Sequence, residues 1–154
     1  MRIATNGCFD LLHEGHKHLI DYCIGLAGGE GQVLILVDSD ESVKKLKGEG
    51  RPKETISVRL DNIWAHIQET FKYLHPGLHQ IGLNPYMSVD VFNNDYELLK
   101  AFQEFKPHMI VKGSDRPDVR TITGSGEFPV LIVPRLKDEE GLAYSTTRFI
   151  EGDE

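Results

Sequence analysis

An unbroken apolar run in the first quarter of the chain restricts the fold more than any other feature. Val33 to Val37 are all apolar, and Asp38, Ser39 and Asp40 follow directly. An apolar run without alternation is typical of a strand that is buried on both faces of a parallel sheet. Parallel strands need crossover connections, which helices usually supply. The run therefore predicts an α/β fold with a covered central sheet.

Other segments supply the remaining elements of such a fold. Strand-like patterns occur at 2–6, 109–111 and 130–133, and helical patterns occur at 15–27, 41–46, 55–74 and 95–105. Their alternation predicts a doubly wound, parallel, five-stranded sheet of the Rossmann-like type. The 154 residues suit a single domain spanning 1–154. Segment 75–91 has no clear pattern and contains Pro76, Gly77, Gly82 and Pro85 around a short apolar stretch at Ile81.

Composition and charge disfavour several classes of protein. The formal net charge of −7 argues against nonspecific binding to nucleic acid, which needs a basic surface. No apolar run approaches the roughly 20 residues that a membrane-spanning helix needs. Cys8 and Cys23 do not make a disulfide framework, and the N-terminus does not resemble a signal peptide. We therefore expect a cytoplasmic protein that binds neither nucleic acid nor membrane.

The sharpest motif is His13-Glu14-Gly15-His16, which follows the first predicted strand and opens the first predicted helix. Gly7 allows the backbone to approach a ligand, and Gly15 keeps the helix start uncluttered. Two imidazoles at a helix N-terminus can donate hydrogen bonds to phosphate oxygens. A zinc site is the alternative, but the motif supplies only two of the four ligands that a structural zinc ion needs. The motif therefore favours a phosphate site for nucleotide chemistry.

The stretch from Asn6 to His16 resembles the signature of the cytidylyltransferase-like nucleotidyltransferases, a branch of the His-x-Gly-His superfamily. Three more stretches resemble motifs of this group, at 39–52 with Arg59, at 105–115 and at 144–150. The first two are similar to the adenylyltransferase domain of bacterial ADP-heptose synthases. In the second, Ser114 stands where that group has a second glycine. The third is similar to the Ser-Thr-Thr motif of the family.

The resemblance implies a role for each matching residue. Three residues would be catalytic: His13, His16 and Lys47. Lys47 and Arg59 would also bind the acceptor substrate. Nucleotide binding would fall to Gly7, Cys8, Phe9, Asp10, Gly15, Lys112, Gly113, Asp115, Arg135, Ser145, Thr146 and Thr147, with Arg148 as a helper. Asp10 would orient the histidines or the water shell of an ion.

The reaction implied by the resemblance is transfer of a nucleoside monophosphate from ATP or CTP to a sugar phosphate or polyol phosphate. Pyrophosphate would leave, and Mg²⁺ would be bound through the nucleotide phosphates rather than by protein ligands. The acceptor is expected to be a heptose 1-phosphate and to dock near segment 74–91. Relatives in this group often form dimers, so the resemblance implies a possible homodimer.

Three alternatives remain open from the sequence. The first is a glycerol-3-phosphate cytidylyltransferase, which would share the mechanism and differ in both substrates. The second is a non-catalytic nucleotide-binding sensor, although sensing alone would not need the phosphate-activating residues. The third is a structural protein that holds a metal ion.

Overall fold

The computed structural model describes residues 1–73, 84–114 and 118–134. Its strands are β1 (Arg2–Gly7), β2 (Gln32–Asp38), β3 (Tyr86–Phe92), β4 (Met109–Gly113) and β5 (Val130–Val133). Its helices are α1 (Glu14–Ala27), α2 (Asp40–Lys47), α3 (Ile56–Tyr73) and α4 (Asp95–Phe105), with a short 3₁₀ turn at Val119–Thr121. The strands form one parallel sheet in the order β3-β2-β1-β4-β5. The predicted doubly wound, five-stranded Rossmann-like sheet is confirmed.

The sheet is covered on both faces, and β2 shows why its sequence is an unbroken apolar run. Val33, Ile35 and Val37 point to a core that contains the apolar residues of α1 and α3. Leu34 and Leu36 point to a second core on the opposite face, where α4 packs. Successive side chains of a strand alternate between faces, so a strand with two covered faces needs an apolar residue at every position.

The strand β3 was not predicted, and its position at the edge of the sheet explains the miss. It pairs only with β2 among the described strands. Its sequence alternates apolar residues with Ser88 and Asp90, and Tyr86 is 71% exposed. A half-covered edge strand lacks the continuous apolar run that identified β2. Residues 74–83, which precede it, lie outside the described part of the chain.

The backbone pairing of strands β1 and β4 lies near their amino ends. In their backbone register, Ile3 pairs with Met109 and Ala4 pairs with Ile110. Beyond these pairs, side chains connect the strands: the Thr5 hydroxyl donates to the Val111 carbonyl at 2.6 Å, and the Lys112 ammonium donates to the Asn6 carbonyl at 2.6 Å. The order of the strands reverses at β1, because β2 and β4 flank it. Doubly wound sheets bind their ligands at such a switch point.

The helices of the described ranges are all partly polar. None of them is both long enough and apolar enough to cross a bilayer.

Candidate active site

The turn after β1 places a buried aromatic ring beneath the histidine motif. Phe9 and Leu11 adopt left-handed backbone conformations with φ of 53° and 50°. The Phe9 side chain is buried, and its ring centroid lies 5.4 Å from that of His16 at an angle of 56°. A Cβ at Gly7 would lie 3.3 Å from the Phe9 ring, which leaves little room for a side chain there. The glycine therefore lets the phenylalanine support His16.

The two histidines of the motif cap the first helix reciprocally. His13 is the N-cap residue of α1, and its Nδ1 accepts a hydrogen bond from the Gly15 amide at 3.1 Å. The Nδ1 of His16 accepts one from the His13 amide at 3.3 Å. The rings stack with centroids 3.7 Å apart and planes 21° from parallel. This is a capping box in which imidazoles replace the usual hydroxyl and carboxylate.

The capping bonds determine which nitrogen of each ring carries the proton. A neutral imidazole has one donor nitrogen and one acceptor nitrogen. Because Nδ1 accepts in both His13 and His16, each neutral ring carries its proton on Nε2. The Nε2–H group is then the donor that each ring can offer to a phosphate oxygen at the start of α1.

His16 remains neutral throughout the physiological range. Burial, followed by the electrostatic effects of His13 and Lys47, lowers the pKa of His16 to about 3. The ring therefore serves as a neutral hydrogen-bond donor, and the positive charge at this place comes from Lys47. The exposed Lys47 side chain acts electrostatically on both His16 and Cys8. The structure thus brings the three predicted catalytic residues to one place.

Cys8 is a protonated thiol rather than a nucleophile. Burial, together with the neighbouring Asp38 carboxylate, raises the pKa of Cys8 to about 11. The thiol donates to Asp38 Oδ2 at 3.4 Å, while the Ser42 hydroxyl donates to Asp38 Oδ1 at 2.8 Å. Asp38 therefore ties the turn after β1 to the start of α2.

Arg59 was predicted to bind the acceptor, and the structure corrects this. Its side chain is fully buried, with 0% exposure. Nη1 donates to the carbonyls of Cys8 at 2.7 Å and Asp38 at 2.8 Å. Nη2 donates to Asp40 Oδ1 at 2.7 Å, and Nε donates to the Glu54 carbonyl at 3.1 Å. Since these protein contacts enclose the guanidinium, Arg59 fastens the loops of the site together and does not present a surface to substrate.

Asp10 was predicted to orient the histidines or the water shell of an ion, which stays a prediction, and its contacts give it a structural role as well. Its buried carboxylate accepts hydrogen bonds from the amides of Lys53 at 2.8 Å and Glu54 at 3.0 Å. The Nε of Arg51 lies 3.6 Å from Asp10 Oδ2. In return, the Leu11 amide donates to Glu54 Oε1 at 2.9 Å. Asp10 therefore orders the loop that precedes α3.

These contacts add three positioning residues that the sequence did not single out for the site: Asp38, Arg51 and Glu54. For Asp38, the sequence did offer a signal. The residue directly follows a predicted buried strand, and ligands of this fold bind beyond the strand ends. Arg51 and Glu54 contact Asp10 and Leu11, which lie more than 40 residues away in sequence, and no local pattern predicts these contacts.

The remaining predicted residues divide into two groups. Lys112 and Gly113 lie at the carboxyl end of β4, beside β1, where doubly wound sheets bind their ligands. The other group lies outside the described residues, so its roles stay predictions: Asp115, Arg135, Ser145, Thr146, Thr147 and Arg148.

Within the described ranges, no group of three or more His, Cys, Asp or Glu side chains could hold a metal ion. The stacked pair of His13 and His16 therefore lacks the further ligands of a structural zinc site in this part of the molecule.

Comparison with protein families identifies the chain. A family model described as Cytidylyltransferase-like matches residues 4–152. The chain belongs to the cytidylyltransferase-like family. The resemblance predicted from the motifs is confirmed, and so is the predicted class of enzyme, a nucleotidyltransferase.

Curated relatives in this family match nearly the whole chain. It is 32% identical over 156 residues to the "Bifunctional protein HldE" of Methylococcus capsulatus, covering 97% of this chain and 27% of that protein. It is 33% identical over 150 residues to the protein of the same name from Campylobacter jejuni, again covering 97% and 27%. The chain thus spans about a quarter of the length of these relatives.

Solved structures share the fold of this cytidylyltransferase-like chain. A lipopolysaccharide core biosynthesis protein from Thermoplasma volcanium superposes with a TM-score of 0.55 at 20% identity, over 90% of this chain and 98% of that one. A protein from Archaeoglobus fulgidus gives a TM-score of 0.57 at 24% identity, over 87% and 88%. At these identities the likeness concerns the fold alone.

Proposed function

We propose that this nucleotidyltransferase transfers AMP from ATP to a heptose 1-phosphate. An oxygen of the acceptor phosphate forms the new bond to the α-phosphorus of ATP. The bond from that phosphorus to the β-phosphate oxygen breaks, and pyrophosphate leaves. The observation that carries the proposal is the reciprocal cap, which engages Nδ1 of both imidazoles and so places their donor protons on Nε2 at the start of α1, directly after β1.

The residues of the site match what such a reaction requires. Phosphoryl-type transfer depends mainly on positioning and on stabilising charge in the transition state. His13 and His16 would donate to oxygens of the α- and β-phosphates, and Lys47 would offset the charge that accumulates at the α-phosphorus. The protonated Cys8 fits a direct displacement without a covalent enzyme intermediate. Ser145 and Thr146 would hold the outer phosphates, as the resemblance implies.

Mg²⁺ would enter with the nucleotide. The described residues hold no cluster of acidic side chains suited to a metal, which fits an ion carried by phosphate oxygens. Such an ion would neutralise part of the triphosphate charge. The side chains of this chain would then contact the phosphates and not the ion.

Two observations support ATP and a heptose phosphate as the substrates. Segments 39–52 and 105–115 resemble the adenylyltransferase domain of ADP-heptose synthases. The relatives that match over 97% of the chain carry the name bifunctional protein HldE. The family description, Cytidylyltransferase-like, is equally compatible with the alternative function. In that alternative, the enzyme would use CTP and glycerol 3-phosphate as substrates.

Pyrophosphate release tests the proposal. ATP, CTP, GTP and UTP would each be offered with Mg²⁺ and with a panel of sugar and polyol phosphates. We expect release with ATP and a heptose 1-phosphate. Release with CTP and glycerol 3-phosphate alone would establish the cytidylyltransferase instead. Tight nucleotide binding without release from any pair would contradict transfer and favour a sensor.

A further inference from the structure

The turn between β1 and α1 contains a strained residue that core packing does not explain. Among the described non-glycine residues, only Phe9, Leu11 and Lys106 have a positive φ, which is 50° for Leu11. This left-handed conformation is unfavourable for a residue with a Cβ and persists only where surrounding contacts enforce it. Phe9 is buried in the core, whereas Leu11 is partly exposed and is not among the residues that form or pack against either core.

Glu54 supplies a contact that holds the Leu11 backbone. Its Oε1 accepts a hydrogen bond from the Leu11 amide at 2.9 Å, and a carboxylate is a strong acceptor. The Glu54 backbone is fixed on both sides of its Cα, because its amide donates to Asp10 at 3.0 Å and its carbonyl accepts from Arg59 at 3.1 Å. Asp10 and Arg59 are both fully buried. The carboxylate therefore reaches Leu11 from a backbone that two buried side chains hold in place.

The conformation of Leu11 determines where the first histidine of the motif lies. His13 follows two residues later and is the N-cap of α1, with an extended backbone at φ −115° and ψ 178°. Rotation about φ of Leu11 moves His13 relative to β1. Without the Glu54 carboxylate, Leu11 would relax towards the negative φ that an L-residue prefers. His13 would then leave the position at which its Nδ1 accepts from the Gly15 amide at 3.1 Å.

We propose that Glu54 is a positioning residue for nucleotidyl transfer, which acts through the strained Leu11 to keep His13 in the reciprocal cap. The inference rests on the proposed function, because it takes His13 to donate to the phosphates. The loop before α3 therefore does more than receive the contacts of Asp10, since it also determines where the histidine pair lies.

The kinetics of Glu54→Ala and Glu54→Gln with ATP and a heptose 1-phosphate test this role. Glu54→Ala removes the acceptor, and we expect kcat to fall about 10–100-fold, because a small misplacement of a catalytic group has effects of this size. The KM for ATP should change less than about threefold. Glu54→Gln keeps an oxygen that can accept from Leu11, so its loss of kcat should be much smaller. A wild-type kcat in Glu54→Ala, or equal losses in both variants, would overturn the inference.

Relief of the strain is the sharper test, because a residue that only stabilises the fold would not respond to it. Glycine adopts a positive φ about as readily as a negative one, so adding Leu11→Gly to Glu54→Ala should raise kcat about threefold or more. Lys106→Gly is the matched control, because Lys106 is a left-handed residue at the C-cap of α4. It should leave the kcat of Glu54→Ala unchanged. No recovery with Leu11→Gly, or equal recovery with Lys106→Gly, would overturn the inference.

Amide hydrogen exchange, followed by NMR, separates failure of the inference from failure of the proposed function. The Gly15 amide donates to His13 Nδ1 and so reports on the cap without any substrate. Its exchange should be about tenfold faster or more in Glu54→Ala and should slow again when Leu11→Gly is added. The control is the Ser42 amide, which donates to the N-cap hydroxyl of α2 at 3.2 Å. Unchanged exchange at Gly15, or equal acceleration at Ser42, would overturn the inference whatever reaction the chain catalyses.

Discussion

At the scale of single residues, the site depends on histidines whose two nitrogens have separate tasks. The Nδ1 atom of His16 receives the His13 amide and so belongs to the helix cap. Its Nε2 atom carries the proton that the proposed chemistry uses. The same division holds for His13, whose Nδ1 receives the Gly15 amide. A substitution that keeps an acceptor at the Nδ1 position but removes the Nε2–H donor can therefore test catalysis without disturbing the helix cap.

His16→Asn should retain the cap and lose the reaction. The asparagine oxygen can occupy the place of Nδ1, but no donor replaces Nε2–H. We expect kcat to fall by about 10²–10³-fold, the usual effect of removing one transition-state donor. The urea midpoint should change little. His18→Asn, at a partly exposed position on the same helix, is the control and should retain activity. Equal losses of activity in both variants would contradict the assignment.

The low pKa of His16 predicts how stability depends on pH. Its pKa is about 3 in the folded chain and about 6.5 when unfolded, so between these values the unfolded state binds more protons. Stability from this group is fully present above pH 6.5 and is lost as the pH falls towards 3. We expect about 1–2 kcal/mol less stability at pH 5 than at pH 7.5 from this residue.

Urea unfolding of wild type and His16→Asn at both pH values measures this difference. The wild-type midpoint should decrease more between pH 7.5 and pH 5 than that of the variant. Parallel decreases would show that His16 titrates normally in the folded protein.

Arg59 shows how a buried cation can build a site without contacting its ligand. Arg59→Lys keeps the charge but cannot reproduce the contacts to Cys8, Asp38 and Glu54. We expect a loss of about 3 kcal/mol in the free energy of unfolding, measured by urea titration. The control is Arg120→Lys, whose side chain is 91% exposed, and its effect should stay below about 0.5 kcal/mol. Comparable effects would contradict the positioning role.

At the scale of elements, the junction between α1 and β2 depends on close backbone packing. The terminal amine of Met1 donates to the Ala27 carbonyl at 3.0 Å, and the Gln32 amide donates to the Met1 carbonyl at 3.0 Å. Gly31 lies between them. A Cβ there would lie 2.2 Å from the Ala27 oxygen and 2.6 Å from the Met1 oxygen. These neighbours are backbone atoms, so they cannot move aside by changing rotamer.

Two glycine substitutions test this packing. Gly31→Ala should destabilise the protein by about 2–3 kcal/mol, because the junction must open. Gly25→Ala, in the interior of α1 with no atom within 4 Å of the added methyl, should stabilise it by about 0.5–1 kcal/mol. Thermal melts of both variants give the comparison. A neutral Gly31→Ala would show that the junction is looser than the structure indicates.

The elements also show which parts of the fold the sequence reveals. The strand β2 was predictable because both of its faces are buried and every position had to be apolar. The helix α1 was predictable from its apolar spacing and from the glycines that end it. The strand β3 was not, since its pairing with β2 depends on tertiary structure and its outer side lacks a strand partner in the described sheet.

At the scale of the whole molecule, the site forms where distant segments meet. The sequence identified His13, His16 and Lys47 because they belong to local motifs. It assigned Arg59 to the substrate and Asp10 to the histidines, since proximity in a motif does not reveal the contact partner. The amide partners of Asp10 lie 43 and 44 residues away along the chain, and the partners of Arg59 lie 5 to 51 residues away.

The most direct test of the central claim is the identity of the reaction products, observed by ³¹P NMR with ATP, Mg²⁺ and a heptose 1-phosphate. Nucleotidyl transfer predicts two coupled resonances from a new diphosphate diester, together with an equal amount of pyrophosphate. His16→Asn should form both products at the same ratio but far more slowly. Formation of ADP, whether with inorganic phosphate or with a doubly phosphorylated acceptor, would place bond breaking at the γ-phosphate and contradict the account.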